Sequence, residues 1–151
     1  MTAKISNFTL HNARGESVLD SELTQWALKA QRPFNVASYS WTVDGQLLSR
    51  IRDSYWGQLP DSSGFICFEA VFKPDNCYVL DAYGKERYRL RVPWELTAYD
   101  VPSGAKMWFR NVSTHPDGQF GVTAWIEYAG DFYFELDYHE GRFLWGKEIR
   151  F

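Results

Sequence analysis

Two carboxylates near the C-terminus have the residue type and the placement for acid–base work. Glu127 and Glu135 fall on neighbouring predicted strands. In the register favoured below they are diagonal neighbours, roughly 7–8 Å apart at Cα. Inverting glycosidases hold their two carboxyl groups about 6.5–9.5 Å apart. Trp125 and Tyr133 beside them would form a sugar platform. Against this, carboxylates on open strands usually only solubilise a surface, and spacing alone is a thin warrant for catalysis. Other reactive side chains are scattered. His11, His115 and His139 lie near turn signals without metal-ligand spacing, and Cys67 and Cys77 form no CxxC pair. There is no GxSxG, P-loop or GxGxxG. The expectation is a non-catalytic protein with no cofactor and no metal.

Arg87, Arg89 and Arg91 alternate with Tyr88, Leu90 and Val92, which sets three guanidiniums on one face of a strand. Such a row could track phosphates and would then bind with steep salt dependence. The alternative is a solvated face paired with acids. A chain of net charge −3 favours the pairing, and no nucleic-acid partner is expected.

The elements that must position these residues are mostly strands. Residues 5–10 alternate and read as a first strand. Val18, Leu19, Leu23, Trp26, Ala27 and Ala30 recur at helical spacing, with Ser17 or Asp20 to cap the start and Pro33 after the end. This predicts a helix over 17–31. From residue 34 the period changes to two, with a turn signal at Asp44-Gly45. Residues 54–64 read as the longest irregular loop, and 93–104 as a second connection. Further strands are expected at 65–73, 77–82, 86–92, 106–113, 119–128, 132–138 and 142–150, with a turn at 115–118. The predicted fold is α+β: one N-terminal helix on a large twisted antiparallel meander, able to curl into a half-barrel.

Alternation constrains the register of the last three strands. A loop at Ala129-Gly130-Asp131 would set Ile126 against Phe134 and Ala124 against Leu136, matching apolar faces. A four-residue loop, 138–141, would set Leu136 against Phe143, Phe134 against Trp145, and Asp137 against Arg142. The outward face then carries Trp125, Glu127, Tyr133, Glu135 and Asp137. Between Arg110 and Arg142 lie six acidic residues, including Asp117, and no Lys or Arg. An acidic surface with aromatic anchors suits a protein partner of basic character. The competing expectation is that a second layer covers Trp125 and Tyr133.

A chain of 151 residues predicts one domain, 1–151. Eleven Phe, nine Tyr and seven Trp give it ample apolar area for a core, and some of these rings should reach the surface. The opening MTAKISNFTLHNARGES has no apolar signal core, and no run approaches the roughly 20 residues of a membrane span. Two cysteines are too few for a disulfide scaffold. The expected setting is the cytoplasm, with no membrane partner.

In size, in the acidic and aromatic end WIEYAGDFYFELDYHEGRFLWGKEIRF, and in lacking a catalytic kit, the chain resembles the small immunity proteins of bacterial polymorphic and contact-dependent toxin systems. The resemblance implies a cytoplasmic inhibitor that binds one cognate toxin, here a basic toxin domain. Trp125 and Tyr133 would be its anchors, and Glu127, Glu135 and Asp137 would meet Lys or Arg. The alternative is a small-ligand or carbohydrate-binding β protein, extending to a carboxylate-based hydrolase.

Overall fold

Five consecutive residues, Gly64–Phe68, are buried on both faces of one strand. A strand in a single sheet with a solvated side would alternate. An unbroken apolar run demands cover on both sides. The architecture follows from that demand. In the computed structural model, which describes residues 3–114 and 119–149, the chain forms three four-stranded antiparallel sheets.

The N-terminal sheet has the order β2-β1-β3-β4, built from β1 (Ile5–Asn12), β2 (Ser17–Leu19), β3 (Val36–Val43) and β4 (Gln46–Ile51). The middle sheet runs β5-β6-β7-β8, from β5 (Tyr55–Gln58), β6 (Gly64–Phe68), β7 (Cys77–Asp81) and β8 (Glu86–Leu90). The C-terminal sheet runs β12-β11-β10-β9, from β9 (Met107–Thr114), β10 (Phe120–Ile126), β11 (Gly130–Asp137) and β12 (Arg142–Glu148).

The middle sheet serves two cores. Phe65, Cys67 and Leu80 pack with Leu10, Tyr39 and Trp41 of the N-terminal sheet. Ile66, Phe68 and Val79 pack with Phe109, Val122 and Phe134 of the C-terminal sheet. Trp41, Trp56 and Phe65 form a knot of rings with centroids 4.9–5.4 Å apart. Single polar contacts pin the layers in register. The Trp41 indole N–H donates to the Ala82 carbonyl at 2.8 Å. The Asn76 amide accepts from the Phe109 N–H at 2.8 Å and donates to the Phe109 carbonyl at 3.0 Å, as a neighbouring strand would.

The single-sheet α+β expectation is therefore wrong, and the helix is smaller than its periodicity suggests. Ser17–Leu19 pairs with Thr9–His11 as β2, because Asn12 Oδ1 accepts from the Arg14 and Glu16 N–H groups and turns the chain back. Within residues 17–31 only α1 (Leu23–Ala30) is α-helical, and none of its residues is fully buried. Gln31 closes it in the left-handed conformation. Residues 54–64, read as a loop, include β5. The Asp44-Gly45 reversal has φ of 50° and 77°, the twist-matched hairpin turn its sequence signals. The expected 115–118 turn, with His115 and Asp117, lies outside the described residues. No helix among the described residues is long and apolar enough to cross a membrane.

Candidate functional site

The outward face of the C-terminal sheet carries a ladder of aromatic rings. Trp108 on β9 stands opposite Trp125 on β10, with centroids 4.7 Å apart. Phe72, on the loop after β6, packs at a tilt 4.7 Å from Trp108 and is 80% exposed. A bulge makes this possible. Thr123 pairs with Asn111 but Ala124 pairs with Phe109, so Arg110 is an extra residue. Its guanidinium swings onto Asp131 at 2.9 Å. The three rings and the 69–76 loop wall a surface groove of about 510 Å³ whose lining includes Asn76 and Arg110.

Trp125 lies where alternation sets it, on the outer face and half-buried. The β10–β11 register differs from the expected one. Ile126 faces Gly130 rather than Phe134, a slip of four residues. An even slip keeps every side chain on its expected face, so the apolar faces still match. The reversal uses Glu127, Tyr128 and Ala129, with Tyr128 and Gly130 at positive φ. Glu127 thus sits in a turn, where its carboxylate accepts from the Lys106 N–H at 3.2 Å. Glu135 lies opposite Gly121, five strand steps from Ile126. The two carboxylates are therefore separated by roughly 17 Å or more at Cα. The glycosidase-like spacing does not exist.

Tyr133 is on the outer face yet only 3% exposed. Neighbouring residues of its own sheet pack on the ring. Its ring lies across Gly121, where an added Cβ would come within 2.7 Å of the ring and hydroxyl. Trp145 packs on it at 5.5 Å. The Tyr133 hydroxyl donates to the Glu135 carboxylate, which is half-buried. Asp137 pairs opposite Arg142 as expected, and its carboxylate accepts from the His139 and Glu140 N–H groups at 3.2 and 3.1 Å. Its geometry is that of a turn stabiliser.

Three surface aromatics were not legible as such. Phe72 and Trp108 carried no signal tying them to Trp125, because the 69–76 loop and the Arg110 bulge set their meeting. Trp145 was expected inside, opposite Phe134. A bulge between the Leu136–Phe143 and Glu135–Trp145 pairs flips it outward, to 38% exposure. Gly146 takes its place over Phe134, where an added Cβ would lie 2.6 Å from the ring. A glycine inside a strand signals such a close approach.

The remaining chemistry-bearing residues are structurally engaged. Arg89 bonds Glu69 at 2.5 Å and Glu86 at 2.8 Å, and lies over the Tyr78 ring. Arg91 reaches Glu95 at 3.3 Å, and Arg87 donates to the His139 carbonyl. A phosphate track would need these guanidiniums unpaired. His11 bridges the Ser17 and Ser40 hydroxyls at 2.7 and 2.6 Å, and His139 meets Asp61 at 2.8 Å. Among the described residues no group of three or more His, Cys, Asp or Glu is placed to hold a metal ion. Cys67 and Cys77 are unbonded thiols in separate cores on opposite faces of the middle sheet, and burial pushes both thiols far above the usual range.

No protein-family model matches the sequence, and no curated protein matches it significantly. The fold is similar to that of a chain in the solved structure of Tne2 in complex with Tni2. The TM-score is 0.64 at 15% identity, over 97% of this chain and 99% of that one. At that identity the likeness establishes a shared fold.

Proposed function

We propose that the protein is a non-catalytic inhibitor of the immunity type, acting by binding a cognate toxin domain in the cytoplasm. The observation that carries this reading is the Phe72–Trp108–Trp125 ladder, a contiguous run of tilted, touching rings left on the surface of an otherwise well-packed sheet. Large rings in a groove are the residue types on which binding energy concentrates. A shared fold over nearly the whole of both chains with a component of a two-protein complex, Tne2 with Tni2, supports partner binding as the use of this architecture. Trp125 and the flanking Trp108 would anchor the partner. Tyr133 would support the face from beneath Trp145. The half-exposed carboxylates of Glu127, Glu135 and Asp137 would meet Lys or Arg at the rim and favour a basic toxin.

The test uses the protein as bait in a lysate of its source cell, with wild type compared to a Trp108→Ala/Trp125→Ala double variant. Wild type should capture one stoichiometric protein that arrests growth when expressed alone and is tolerated when co-expressed with the bait. Each anchor is expected to contribute about thirtyfold in affinity. Capture of no growth-arresting protein would overturn the reading.

A further inference from the structure

Three sheets leave six edge strands, and five of them are shorter than the sixth, β9. β2 and β5 have three and four residues. β4 carries Arg50, β8 carries Glu86, Arg87 and Arg89, and β12 carries Arg142, Lys147 and Glu148. Short length and charge are the devices by which proteins keep edges from pairing with other chains. β9 has neither. It is eight residues long, has no proline, and its single charge is drawn aside onto Asp131. Asn76 occupies the edge at Phe109, but from Asn111 to Thr114 no strand lies beside it among the described residues.

The open stretch is flanked by walls that mix aromatic and aliphatic side chains with polar ones. The groove of the aromatic ladder leads at Arg110 and Asn111 into a second groove of about 340 Å³, lined also by Tyr55, Phe68 and Val112. The two charged side chains in these walls, Glu69 and Arg110, are each paired within the chain. A charged occupant would find no partner there, whereas an uncharged one would meet matching walls.

We infer that the β9 edge and its two grooves receive an extended, uncharged segment of the partner protein, which pairs as an added strand and sets alternate apolar side chains into the grooves. Main-chain hydrogen bonds would give affinity and the aromatic walls specificity. This rests on the reading of the protein as a partner-binding inhibitor and names the element recognised.

The experiment is selection of a random twelve-residue peptide library on phage against the intact protein, followed by titration of the enriched peptides by fluorescence. Enriched sequences should alternate apolar residues and carry few charges. Their affinity should fall at least about tenfold with Phe72→Ala, an exposed position that leaves the fold intact, and with Trp108→Ala. N-methylation of alternate peptide nitrogens should abolish binding in one register and spare it in the other. Basic consensus sequences, indifference to both variants and to N-methylation, or no enrichment would overturn the inference. If a growth-arresting partner is neutralised while no peptide binds this edge, the edge proposal fails and the inhibitor reading stands. If peptides bind as described but no partner is neutralised, the inhibitor reading fails alone.

Discussion

Replacing Asn76 with alanine should loosen the joint that shapes the candidate site. The side chain is 3% exposed and makes both hydrogen bonds of the Phe109 peptide groups that face away from the sheet. Truncation leaves a buried N–H and a buried carbonyl without partners, each costing about 1–3 kcal/mol. The groove borders this spot, so water can partly rescue one of them. The expected loss is about 2–4 kcal/mol, a large share of the roughly 5–15 kcal/mol typical of a domain. Urea unfolding should show a midpoint lowered by about 1–2 M at unchanged slope. Asn76→Asp separates the two bonds. The new carboxyl keeps an acceptor for the Phe109 N–H but can donate to the carbonyl only when protonated. Burial should raise its folded pKa above the unfolded value of about 3.9. The folded state then binds the extra proton, so this variant should be most stable at low pH and lose stability as pH rises through the raised pKa. A loss below about 0.5 kcal/mol for Asn76→Ala, or a pH-independent cost for Asn76→Asp, would refute the account of Asn76 as a substitute strand.

Two further outcomes test the packing. Gly121→Ala would put a methyl 2.1 Å from the Phe134 carbonyl and 2.7 Å from the Tyr133 ring. It should cost about 1–3 kcal/mol by overpacking and red-shift tryptophan emission as Tyr133 lifts Trp145; unchanged stability and emission would contradict the ring placement. Cys67 and Cys77 should be inert to a thiol reagent in the native state even at pH 9, since burial holds both as thiols, and should both react in denaturant. Fast labelling of the folded protein would show that one of the cores opens.

Local chemistry was the legible part of this fold. Asp44-Gly45, the Asp137–Arg142 pairing and the inward faces of β10 and β11 follow from turn propensity and period-two alternation. Register was less so, because an apolar face pairs equally well with itself after a slip of two or four residues. The turn falls two residues earlier than alternation suggests, with Tyr128 and Gly130 at positive φ. Layer count was written in Phe65-Ile66-Cys67-Phe68, a run with no polar face, which a period-two reading absorbs into one more strand. The bulges at Arg110 and after Phe143 have no strong local signature, yet they determine which tryptophans reach the surface.

The layering also separates the surfaces by chemistry. The outer face of the N-terminal sheet presents Ser38, Ser40 and Thr42 on β3 and Thr9 and His11 on β1, groups that water solvates well. Leu47 and Ile51 are exposed there on β4, but they stand at an edge shared with Arg50 and are not in a stack. Scattered apolar residues of this kind are normal on a monomer. The outer face of the C-terminal sheet presents Trp108, Trp125 and Trp145 with Phe72, and two strand bulges are needed to put them there. Burying such rings would stabilise an isolated protein by about 1.5–3 kcal/mol each. On the proposed reading, a sheet that instead turns them outward, beside its longest and least charged edge, makes that energy available to another chain. The two outer faces therefore make opposite predictions for the same perturbation: polar substitutions on β3 should leave partner capture unchanged, and those on β9 and β10 should abolish it.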